Sequence, residues 1–281
     1  MFPPNPSHNP SPPPPPPYPA ADSTRQSGGG KWKQLLAPLI VAVTAIFKFL
    51  PAILKFLPVL LKTGGSMFLM IWVYANFYGW WYAFGFVLLI FIHECGHILA
   101  AKQVGLKVSA PVFIPFMGAL ILLKEAPKNA WIESKIAMGG PLLGSIGAAA
   151  CYLLYPLTGN MIFAALAFTG FLLNLFNLIP LSPLDGGRIV TALSPWFWLA
   201  GIVLLGNWMV LHFNILILVI ILFSLPRLFT LFRQRTPDEV NYFQVTPAQR
   251  WIMGTLYVGL AAVLAWAMGV IHQQLPARPG G

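Results

Sequence analysis

Residues 93–97 read His93-Glu94-Cys95-Gly96-His97. On an α-helix, residues four apart share a face, so both imidazoles can reach a single Zn²⁺. Glu94 projects beside them, close enough to take a proton from water at that metal. The whole chain has five histidines, and two of them are in this motif. The flanks, Phe86–Ile92 and Ile98–Ala101, are apolar and suit lipid or a buried bundle. Three ionisable groups in such a setting cost several kcal/mol apiece to desolvate unless they have a partner. A histidine pair hydrogen-bonded inside a core is the plain alternative. A polar cluster within a membrane segment is functional by default, and the pattern predicts a metal held inside a membrane.

The elements that position this motif must be membrane elements. The sequence is 57% hydrophobic and 9% charged, far from the roughly 25% charge of soluble domains. Several apolar stretches reach or approach the ~20 residues that cross a bilayer. The expected fold is an all-α polytopic membrane protein of about six to seven transmembrane helices, with a short membrane-associated β hairpin or loop. The net charge of +10 comes from basic residues in the N-terminal segment and between spans, which favour a cytoplasmic face and anionic lipid. No basic run with interleaved aromatics stands clear of the membrane, so nucleic acid is not an expected partner. The two cysteines, Cys95 and Cys151, read as small buried residues rather than a disulfide framework. Cys95 points away from the His93/His97 face and is not a proposed ligand. The N-terminus does not read as a cleavable signal peptide.

Along the chain, residues 1–30 carry the proline run Pro12–Pro17 and a Ser/Gly-rich stretch. They read as a disordered, Pro-rich cytoplasmic tail, either a plain linker or a docking ligand for a partner. In 31–63, Lys48-Phe49-Leu50-Pro51 recurs as Lys55-Phe56-Leu57-Pro58 and Lys62 continues the spacing. This is expected to be a basic amphipathic segment lying in the interface and kinked at its prolines. Residues 64–226 form the expected core. A helix near 66–78 and a second, 81–103, meet at a turn around Gly79, with Tyr78, Trp80, Trp81 and Tyr82 at a membrane–water interface. The motif lies near the other end of the second helix, beside Lys102 and Lys107, which the positive-inside tendency makes cytoplasmic.

Val108–Leu123, broken by Pro111, Pro115 and Gly118, reads as a hairpin or extended loop that must line a cavity or lie at the interface. Small residues such as Gly139, Gly140, Gly144 and Gly147 then permit close helix packing in Ala137–Leu157. Met161–Ile179 follows as a span, and Trp196–Phe223 has room for two short spans with Gly206-Asn207 as a break. A basic cytoplasmic loop, 227–250, and a C-terminal span with its tail, 251–281, complete the chain.

A catalytic zinc takes three protein ligands and keeps one open position. Between residues 63 and 224 the acidic residues are Glu94, Glu125, Glu133 and Asp185. Glu125 and Glu133 sit among Lys124, Lys128 and Lys135 and read as solvated pairs. Asp185, in Leu184-Asp185-Gly186-Gly187, reads either as a turn or N-cap or as the missing carboxylate.

His93-Glu94-Cys95-Gly96-His97, together with Asn177-Leu178-Ile179-Pro180 and Leu184-Asp185-Gly186, resembles the paired motifs of the site-2 protease family of intramembrane zinc metalloproteases. The resemblance covers roughly residues 80–190. It implies that His93, His97 and Asp185 ligate one Zn²⁺, that Glu94 is the catalytic base, and that Asn177 lies near the metal to place substrate or the oxyanion. It also implies that Phe116–Leu122, with Gly118, is a strand pairing with an unwound substrate, and that Gly140-Pro141 opens the following helix. Many family members carry a PDZ or CBS domain, and no segment of this sequence is long enough for either. The implied activity is hydrolysis of peptide bonds in or near the transmembrane segment of a single-span membrane protein. The implied location is the bilayer, as a multi-pass protein of a bacterial inner membrane with the site toward the cytoplasm. A non-proteolytic metal-binding membrane protein or a metal transporter is the competing reading. A transporter would spread ionisable residues over several helices at midplane, whereas here there is one compact site plus His212, expected to pack or hydrogen-bond within its helix pair.

Overall fold

The computed structural model describes Thr63–Gln274, together with the single positions Thr44 and Lys48. The Pro-rich tail with its docking role, and nearly all of the amphipathic segment, lie outside the described residues. The described chain from Thr63 onward is mostly helical, with one small two-stranded sheet.

The first two helices, α1 (Thr63–Tyr78) and α2 (Trp80–Gln103), are separated by Gly79 alone, which adopts φ 82°. A left-handed backbone of this kind favours glycine, so the expected turn falls where the sequence marks it. The hairpin follows: β1 (Val112–Ile114) pairs antiparallel with β2 (Gly118–Leu120), with Phe113 opposite Ala119. Side chains of α1 bond the hairpin to it. Thr63 donates to the Pro111 carbonyl at 2.8 Å, while Ser66 and Tyr74 accept from the amides of Phe113 and Phe116 at 3.1 and 3.2 Å. A buried cluster of Met70, Val87, Ile90 and Phe113 fills the space between them.

Helix α3 (Ala130–Thr158) begins at Asn129, whose side chain accepts from the Ile132 amide at 2.9 Å, and ends at Gly159 in the left-handed region. It starts earlier than the apolar stretch suggests, because its first turns are polar. Helix α4 (Met161–Asn177) is capped by Asn160. After it come the short α5 (Asp185–Val190), then α6 (Phe197–Leu211), α7 (Ile215–Phe229), α8 (Pro237–Tyr242) and α9 (Pro247–Gln274). The break between α6 and α7 falls at 212–214, not at Gly206-Asn207, which are helical. Asn214 accounts for this: its side chain accepts from the amides of Leu216 and Ile217 and starts a new helix. His212 caps α6 and stands exposed, with its ring 5.4 Å from that of Trp208 one turn earlier.

Helices α2, α3 and α9 are long and apolar enough to cross a membrane, and α4, α6 and α7 are shorter apolar helices. Large apolar side chains such as Trp81, Leu157, Val210 and Trp251 face outward. Lipid solvates such a surface, whereas water would not. The main core joins α3 and α4 to Met253, Leu264 and Ile271 of α9.

Glu133 corrects another expectation. It is not a solvated surface carboxylate but 8% exposed, in the first turn of α3, where Arg227 holds it with contacts of 2.9 and 3.4 Å. The lysines beside it in sequence suggested exposure. Its actual partner is 94 positions away, beyond the reach of a local reading.

Candidate metal centre

Helix α2 carries His93, Glu94 and His97 on its buried face, at 3%, 7% and 8% exposure. The helix crosses α3 at Gly96 and Gly139, where a Cβ on Gly96 would strike the Gly139 carbonyl. Only backbones without side chains can approach so closely. The crossing sets the Ile136 carbonyl 2.8 Å from His97 Nδ1. On the other side, Asn174 of α4 lies with Oδ1 2.8 Å from His93 Nδ1. The Asn174 amide donates through Nδ2 to the Gly170 carbonyl at 2.7 Å, which fixes its oxygen toward the histidine. Both partners accept, so each imidazole in its neutral form carries its proton on Nδ1 and presents a lone pair on Nε2.

The two Nε2 atoms lie 3.1 Å apart, and Asp185 Oδ2 lies 3.1 Å from His93 Nε2 and 3.2 Å from His97 Nε2. Three acceptors therefore face one another at contact distance with no proton among them. One added proton could bridge only one of the three contacts. A cation satisfies all of them together. The triangle is close to one face of a coordination tetrahedron, whose edge is ~3.3 Å when each bond is ~2.0–2.1 Å. Gly140 keeps the space open: a Cβ there would meet Nε2 of both histidines. The donor set, two imidazoles and one carboxylate, suits zinc. Ligand atoms of His93, Glu94 and His97 all lie within 4.8 Å of one another, so Glu94 reaches the same point in space.

Asp185 arrives by a different route. After α4 the chain folds back on itself, with Leu181 and Leu184 amides bonding to the carbonyls of Ile179 and Leu181. Gly186 and Gly187 lie against that loop, and a Cβ on either would collide with its backbone. The two glycines thus let the loop close and aim Asp185, the first residue of α5, at the histidines.

These groups open onto a cavity of about 460 Å³, to which Asn177, Gly118, Tyr74 and Arg188 also contribute. Asn177 is the last residue of α4, and Gly118 begins β2 with φ 94°. The structure therefore brings all six residues singled out from the sequence to one cavity, four of them at its polar end. Cys95 and Cys151 are free thiols, each partly exposed. The sequence reading gave no role to Asn174 or to the Ile136 carbonyl. An asparagine in so apolar a helix was the available signal for the first, and nothing in the sequence marks a carbonyl.

Comparison with known proteins follows the same residues. Residues 81–160 and 156–199 match Peptidase family M50. The match is confined to 81–199, the stretch that carries both motifs. A zinc metalloprotease of Methanocaldococcus jannaschii is 31% identical over 116 residues, covering 38% of this chain and 33% of its own. Rip3 of Mycobacterium tuberculosis, also named as a zinc metalloprotease, is 37% identical over 110 residues, covering 36% and 27%. A similarly named protein of Synechocystis is 31% identical over 106 residues, covering 36% and 28%. The chain spans a third or less of the length of each of these relatives. The matched residues hold the motif helix, the hairpin, α3, α4 and α5, while α1, α7, α8 and α9 lie outside them.

Proposed function

We propose that this protein is a zinc-dependent intramembrane endopeptidase. It hydrolyses peptide bonds in or near the transmembrane segment of single-span membrane proteins. His93, His97 and Asp185 are the zinc ligands and Glu94 is the general base. The observation that carries the proposal is the triangle of three facing acceptors beside a second carboxylate, Glu94, all opening on one cavity.

When bound, zinc polarises a scissile carbonyl and makes water acidic enough to attack near neutral pH. Glu94 takes the proton of the attacking water and delivers it to the leaving amine. Asn177 and the Gly118 end of β2 line the approach. Asn177 offers an amide N–H to the developing oxyanion. Strand β2 pairs with the substrate backbone, which must first leave its helix because helical peptide bonds satisfy one another.

Helices α4, α6 and α7 complete a set of about six to seven spans with α1, α2, α3 and α9. The site faces the cytoplasmic side of a bacterial inner membrane. The cluster of Lys102, Lys107, Lys124 and Lys128 around the metal-bearing end of α2 supports that orientation. One compact acceptor cluster does not favour a transporter. The test is Glu94→Gln, assayed with a labelled single-span substrate in liposomes. The variant retains one zinc per chain and loses cleavage. Persistent cleavage sinks the assignment of Glu94.

A further inference from the structure

Helix α5 carries a second charged residue one turn after Asp185. Arg188 places Nη1 3.8 Å from Asp185 Oδ1, the oxygen turned away from the histidines. Its Nε lies 3.5 Å from Oε1 of Glu133. Glu133 is nearly buried and is anchored independently of Arg188. Arg227 grips both its oxygens, and the Tyr242 hydroxyl donates to Oε2. Arg227 is itself fixed, bonding Thr191 Oγ1 at 3.2 Å and lying 4.9 Å above the Trp198 ring. Burial and the adjacent Glu133 charge raise the Tyr242 phenol, so it stays protonated as a donor.

Asp185 sits on a helix of only six residues, and a carboxylate can rotate to offer either oxygen or both. Something must choose. The guanidinium attracts Oδ1 electrostatically and leaves Oδ2 for the imidazoles. The rigid Glu133 cluster decides where the guanidinium stands. We infer that Arg188 is a positioning residue for the Asp185 carboxylate, with Glu133 as the fixed post that holds it. Through that post the metal site is tied to Arg227 at the end of α7 and Tyr242 of α8, both outside the residues that match Peptidase family M50. The inference rests on the proposed role of Asp185 as a metal ligand.

Its test reads metal binding and needs no substrate. The purified full chain, stripped of metal, is titrated with Co²⁺ alone and followed by visible absorption. Arg188→Ala weakens Co²⁺ affinity about 10–100-fold, the range for groups that orient a ligand, and alters the visible band. Arg188→Lys keeps the charge without the fork and recovers part of the affinity. Glu133→Gln weakens binding less than Arg188→Ala, and the double variant binds no worse than Arg188→Ala. Asp185→Ala, run alongside, abolishes binding. If it does so while Arg188→Ala keeps wild-type affinity and spectrum, the positioning role is wrong and the ligand role stands. If Asp185→Ala itself changes nothing, the ligand role falls and the inference with it. Should Arg188→Ala lose its helical circular dichroism, Arg188→Lys and Glu133→Gln decide instead. Unchanged affinity and spectrum in both overturn it.

Discussion

The clusters around Asp185 and around Glu133 are both buried and meet at Arg188, yet they balance their charges in opposite ways. Glu133 has more donors than it needs: two guanidinium groups and a phenol converge on one carboxylate. Around Asp185, two bare imidazole nitrogens and a carboxylate oxygen converge with no donor at all. The first cluster is complete as it stands and acts as a fastening. The second is complete only with a cation and pays for a function. Burial of polar groups does not distinguish the two, but counting protons between them does.

That comparison can be broken or sharpened by experiment. The largest effect is expected at the unbalanced cluster. His97→Ala removes a proposed metal ligand, and peptidase activity should fall at least about 10³-fold, with zinc content falling in parallel. A variant that loses activity but keeps its zinc breaks the assignment. Next come opposite stability effects in the metal-free protein. Glu133→Ala leaves the partly exposed Arg188 and Arg227 guanidinium groups without their anion and should cost about 1–3 kcal/mol. Asp185→Ala relieves facing acceptors and should cost under about 1 kcal/mol. Thermal or denaturant unfolding in detergent measures both, and equal losses would erase the distinction. Asn174→Leu removes the acceptor that fixes the His93 tautomer, and metal affinity should drop about 10–100-fold. The smallest effect is at the fastening's edge. Tyr242→Phe removes one of several donors to Glu133 and should cost about 1 kcal/mol with metal affinity little changed.

Much of this arrangement was legible in the sequence where physics acts locally. The α1–α2 turn could be placed because apolar length and a single glycine both mark it. The hairpin could be placed because Pro111, Pro115 and Gly118 interrupt any helical period. The four polar residues that meet at the cavity stood out because ionisable groups in apolar sequence are costly, so their presence is informative. Long-range pairing was not legible. Glu133 was read from neighbouring lysines, although its partners Arg188, Arg227 and Tyr242 come from three later elements. Asn174 was given no role, because its contact with His93 exists only once α2 and α4 pack. The α6–α7 break was misplaced because Gly206-Asn207 looked like a turn, while the side chain of Asn214 builds the cap.

Zinc-edge X-ray absorption of the purified protein tests the central claim most directly. The account predicts one zinc per chain, a first shell of nitrogen and oxygen at ~2.0–2.1 Å, and the outer scattering of two imidazoles. A sulfur shell at ~2.3 Å, which would bring in Cys95, or a first shell unchanged in Asp185→Ala, would contradict it.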